Sequence, residues 1–136
     1  MAALLDLADA RVTCSEVLDL ASRPPVRRRF ALDDNELARV EGGVREAGVR
    51  WGLDAGGRAA YGLGGVPQNT WRAGMDRILA GVAVAERDGV LVGGTLPLDD
   101  VSSGAIDLAG RLAELVARLD RALGALAGPQ PVDAWA

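Results

Sequence analysis

The sequence predicts a mainly α fold: an irregular helical subdomain, residues 1–136 as one helical segment, with at most one short β-hairpin. Three observations carry this expectation. Apolar residues recur at three- and four-residue intervals along most of the chain. Two Ser/Thr/Asp-x-x-Glu patterns stand where helices should start. Only one short stretch, near residue 90, reads as strand.

Ala2 to Ala10 is helix-like from its first residues, with no cap before it, and is expected to be the tail of a helix that begins upstream. Thr13 and Glu16 fit a capping box, in which hydroxyl and carboxylate satisfy the free amides of a first turn. A short helix through Val17, Leu18 and Leu20 should follow, stopped by Pro24 and Pro25, with "VRRRF" as a brief connecting segment. Asp33 and Glu36 form a second box, ahead of Leu37, Val40 and Val44 at helical spacing up to Gly48. Asp54 is placed to cap a further short helix.

Asn69 or Thr70 caps the next helix, in which Trp71, Met75, Ile78, Leu79 and Val82 fall on one face. Arg72 and Asp76 are four apart, the spacing of a surface ion pair. Gly89 to Pro97 is the candidate hairpin. The strongest element is last: Leu108, Leu112, Leu115, Leu119, Leu123 and Leu126 repeat at helical intervals. Asp107 with Arg111 and Glu114 with Arg118 lie on its polar side at i,i+4 spacing. Gly128 and Pro129 should end it, and Pro131 stands where another helix would begin, so both ends read as cut within helices.

Composition narrows function by what is missing. The chain has no histidine and no lysine, all fifteen basic residues being arginine, against nineteen acidic residues and a net charge of -4. A phosphate-binding loop and a carboxylate-lysine nuclease centre both need Lys, while hydrolytic triads and most zinc sites need His. Arginine stays protonated and replaces neither in proton transfer. No catalytic residue, cofactor site or metal site is therefore expected. Cys14 is alone and reads as a passive thiol in a reducing compartment. With no signal peptide and no apolar run of about eighteen residues, a cytoplasmic location without membrane contact is expected.

The glycine cluster Gly56 to Gly65 lacks the strand, Lys and spacing of a phosphate cradle and reads as a loop. Asp99 and Asp100 are read as a solvated loop or a cap rather than cation ligands. Trp51 and Trp71 are candidate base-stacking platforms, but their apolar neighbours favour a role as structural anchors. Arg27, Arg28 and Arg29 form the one local concentration of positive charge and the candidate DNA-binding site, acting through phosphates. Asp33 and Asp34 follow closely enough to neutralise them.

The segments "VRRRFALDDNELARV", "AGVRWGLDA", "NTWRAGMDRILAGVA", "TLPLDDVSS" and "LAGRLAELVARL", in this order, resemble the RecC family, the gamma subunit of exodeoxyribonuclease V. The resemblance runs from Thr13 to about Trp135, and "RWGLD" followed by "NTWR" is its most specific part. It implies an internal piece of a much longer subunit that resembles superfamily 1 helicases without their motor motifs. It also implies RecB-like and RecD-like partner subunits, DNA contact through the whole subunit, and a part in double-strand-break repair and homologous recombination. The piece would be a non-catalytic scaffold, with DNA-channel surface, in a complex that is an ATP-dependent nuclease and helicase. Gly43, Val82 and Leu98 depart from the family, which commonly has aromatic residues there. The alternative reading is a stand-alone helical adaptor that binds a partner protein through its leucine-faced final helix.

Overall fold

A computed structural model describes residues 2–88 and 103–128. Among these residues six α-helices follow in order: α1 (Ala2–Ala8), α2 (Cys14–Ser22), α3 (Pro24–Phe30), α4 (Asp34–Glu46), α5 (Trp71–Asp88) and α6 (Ser103–Leu126). A 3₁₀ helix, Gly56–Tyr61, lies between α4 and α5. No strand occurs among the described residues, only one antiparallel bridge between Thr13 and Trp51. The expected hairpin at Gly89 to Pro97 lies outside the described residues, as do Leu98, Asp99, Asp100 and Pro131.

Both capping boxes form. Thr13 Oγ1 accepts from the Glu16 amide at 3.3 Å, and Glu16 accepts from the Thr13 amide at 2.7 Å. Asp33 and Glu36 exchange the same pair of bonds at 2.7 and 2.9 Å. Asp54 accepts from the Gly57 amide at the start of the 3₁₀ helix, and Thr70 accepts from the Ala73 amide at the start of α5.

Three expectations need correction. Pro24 and Pro25 stop α2 but also open α3, so that "VRRRF" is helical. Proline at the first helical position forfeits no hydrogen bond there, and its fixed φ suits the helix. On α5, Trp71, Met75, Ile78 and Val82 are buried but Leu79 is 41% exposed. Eight residues on from Trp71, Leu79 is rotated about 80° from it, at the edge of the apolar face. Arg72 does not turn along its own helix to Asp76. It reaches Asp54 at 3.6 Å and Asp120 on α6 at 3.9 Å.

α6 is the spine, packing against α1, α3, α4 and α5. Its Leu108, Leu112, Leu115 and Leu119 are buried with Trp71, Ile78, Val40, Val44 and Val17 in one core. Most of the leucine face thus packs inside the fold, with Leu123 and Leu126 only partly buried, and the adaptor reading finds no support in it. Gly43 is buried in α4, and that helix runs unbroken through Gly42 and Gly43.

The two most specific sequence segments touch each other. Residues 50–53 are threaded between the chain before α2 and the start of α5. Cys14 donates to the Arg50 carbonyl and Gly52 to that of Arg11, both at 2.9 Å. On the other side Arg50 donates to Asn69, while Trp71 and Arg72 donate to Gly52 and Leu53. Two orphan amides of the α5 N-terminus are satisfied in this way. Trp71 is fully buried, and its indole N–H donates to the Val12 carbonyl at 3.2 Å.

Candidate functional site

The three arginines of α3 do not act alike. Arg27 faces the turn into α4: its Nε donates to the Leu32 carbonyl at 3.1 Å, and its guanidinium pairs with Asp34 at 2.7 Å. Arg28 and Arg29 are exposed, and among the described residues neither has an ion pair. Asp34 therefore neutralises one cation of three, while Asp33 is engaged in its cap. Because α3 buries no residue fully, its last turn projects these charges outward. The positive charge lies at the C-terminus of a short helix, where it complements the helix carbonyls.

Behind α3, Arg111 of α6 makes a junction that sequence reasoning identified only in part. The expected pair with Asp107 forms at 2.9 Å. The same guanidinium also donates to the carbonyls of Phe30 and Ala31, at the end of α3, and to Glu36 in the α4 cap. One side chain thereby pins the α3–α4 turn to the spine. The hydrogen bond from Arg111, followed by that from the Asp33 amide, holds the Glu36 carboxyl below its usual pKa. Farther along α6, Arg118 pairs with Glu114 and lowers that carboxyl too, chiefly by its hydrogen bond. Arg118 also lies 5.9 Å from the centre of the Phe30 ring.

Trp51 sits in a second cluster. It is half-buried and meets Tyr61 edge-on at 5.3 Å. The Arg58 guanidinium lies 4.4 Å from the centre of its ring, and Arg11 lies 5.0 Å from that of Tyr61. Arg58 is only 3% exposed and carries no acidic partner among the described residues. It donates instead to the carbonyls of Trp51, Val66 and Gln68 at 2.6, 3.0 and 2.7 Å. That fork clamps the loop after the 3₁₀ helix onto the "RWGLD" segment. Gly52, at φ +78°, is required beneath it, since a Cβ there would lie 3.0 Å from Arg58 Nε. An arginine among glycines has no periodicity to announce it, so the sequence held no signal for this role.

Trp51 and Trp71 are thus 20 residues apart in sequence, and the Trp71 amide donates to the carbonyl of Gly52, the residue after Trp51. No group of three His, Cys, Asp or Glu able to hold a metal occurs among the described residues. Burial pushes the Cys14 thiol up, against the pull of Arg45, so it stays protonated and weakly nucleophilic.

Residues 1–136 match the family described as the RecBCD enzyme subunit RecC fourth domain. The chain is 48% identical over 134 residues to the RecBCD enzyme subunit RecC of Mycobacterium tuberculosis (strain ATCC 25618 / H37Rv), covering 98% of this chain and 12% of that protein. It is 33% identical over 132 residues to the subunit of the same name from Escherichia coli (strain K12), covering 97% of this chain and 12% of the relative. The chain thus spans about an eighth of the length of these relatives.

Proposed function

The chain belongs to the RecC family, and from this premise we propose that it is a non-catalytic scaffold segment of a RecC-like subunit of exodeoxyribonuclease V. In this reading residues 1–136 act as one helical unit within a longer subunit of degenerate superfamily 1 helicase ancestry, comparable to the 2B region of such helicases by analogy alone. RecB-like and RecD-like subunits are its partners. The complex acts in the cytoplasm, unwinding and degrading DNA in double-strand-break repair and homologous recombination.

One observation supports a contact with DNA by this segment: Arg28 and Arg29 are exposed cations that make no close ion pair among the described residues, Arg29 acting on Glu114 only through space. Cations so placed bind phosphate rather than read bases. The test replaces Arg28 and Arg29 by Gln in the assembled enzyme and measures DNA binding over a salt series. The affinity should fall equally for all sequences, and the salt slope should shrink by about 0.7 to 0.9 per lost contact. An unchanged slope would assign both arginines to the solvated surface, and failed assembly would assign them to a subunit interface.

A further inference from the structure

A groove of about 460 Å³ opens between α1, the α2–α3 pair and α6. Its floor is aliphatic and aromatic, formed by Leu4, Leu20, Val26, Phe30 and Leu119, most of them only partly covered by the chain's own packing. Among the described residues its charged lining residues are Arg23, Arg29 and Arg118, with no carboxylate. In a chain of nineteen acidic and fifteen basic residues, that segregation of sign is informative. Arg23 and Arg118 are each held from outside the groove by Asp19 and Glu114, as exposed i,i+4 pairs. Such exposed pairs contribute little and exchange readily for a better-placed acid.

We propose that this groove is a docking site for an amphipathic helix of another polypeptide of the enzyme, with an apolar stripe flanked by Asp or Glu. The floor selects the class of partner. Nucleic-acid bases are held by stacking on open aromatic faces, and the one aromatic ring among the described lining residues, that of Phe30, has Arg118 over it. Leucine and valine side chains suit an apolar helix face instead. The arginine rim then selects an acidic flank and rejects a basic one. The inference rests on the reading of the chain as a segment of a multisubunit enzyme. Arg29 lines the groove and also belongs to the proposed phosphate contact, so the experiment changes only Arg23 and Arg118, which have no part in that contact.

The experiment places a photo-cross-linking amino acid at Ala122, a partly exposed residue of the groove, in the full-length subunit within the assembled enzyme. The cross-linked product is identified by mass spectrometry. The expected adduct is with an acidic amphipathic segment of another subunit. Arg23→Gln with Arg118→Gln should reduce its yield at limiting partner concentration by about tenfold, from the loss of two charge contacts of about 0.7 kcal/mol each. Both arginines are about half exposed, so the pair of substitutions should leave the fold intact, which circular dichroism checks. An adduct with DNA, with the same subunit or with a second copy overturns the proposal. So does the absence of any adduct, or a yield indifferent to the two arginines.

Discussion

Gly74 and Gly42 or Gly110 should respond to the same substitution with opposite sign. All three lie inside helices, where Gly→Ala ordinarily stabilises by about 0.5 to 1 kcal/mol through backbone entropy. At Gly42 on α4 and Gly110 on α6 an added Cβ meets nothing within 4 Å, so the full gain should appear. At Gly74 on α5 the Cβ would lie 2.1 Å from Val49 Cγ2, far inside the 3.5 to 4.0 Å optimum for carbon contacts. Val49 is 4% exposed and stiff at χ1. It also has little freedom to retreat: its amide bonds to Val44 at 3.2 Å, and the next amide bonds to Asn69 at 2.9 Å.

Overpacking of this kind costs about 1 to 3 kcal/mol, and the severity of the contact places it in the upper half of that range. After the propensity gain, Gly74→Ala should destabilise by about 1 to 2 kcal/mol. With a urea slope of about 2 kcal/mol/M, the midpoint should fall by about 0.5 to 1 M. For Gly42→Ala or Gly110→Ala it should rise by about 0.25 to 0.5 M. Urea unfolding followed by circular dichroism measures all three. A midpoint for Gly74→Ala at or above the parent value would refute the close crossing of α5 over Val49.

Arg58→Met should destabilise by about 2 to 4 kcal/mol, because it leaves the carbonyls of Trp51, Val66 and Gln68 without their donor. Arg58→Lys should recover little of this, since an ammonium cannot reproduce the planar fork; equal midpoints for Lys and Arg would show that charge alone suffices. The depressed Glu36 pKa stabilises the fold above the ordinary glutamate value of about 4.3, and that contribution is lost as pH falls through the lower folded value. The melting-temperature gap between the parent chain and Glu36→Gln should therefore be widest near neutrality and close in acid. A gap independent of pH would mean that the Arg111 junction does not depend on the carboxylate charge.

What the residues determined by themselves was everything decided within about one helical turn. The boxes at Thr13–Glu16 and Asp33–Glu36 each close over three residues, and the i,i+4 partners on α6 are placed by the helix that contains them. The leucine repeat of α6 likewise marked the buried face, since a 3.6-residue period admits one such stripe. The mainly helical class followed from these local rules, and the paired motifs "RWGLD" and "NTWR" carried the family. Where a residue served two neighbours, the local signal was ambiguous: Pro24 and Pro25 both end α2 and begin α3.

Tertiary structure alone decided the choices between partners. Arg72 had Asp76 at the right spacing, yet the docking of α5 beside Asp54 and α6 brought other carboxylates to it. Arg111 reaches Glu36 across 75 positions and Arg58 reaches carbonyls up to ten residues away. A guanidinium offers several donors on a long flexible stem, so its sequence neighbours do not limit what it can bind. The crossing of helices limits it, and the same crossing leaves Arg28 and Arg29 in solvent while Arg27 is drawn into the turn.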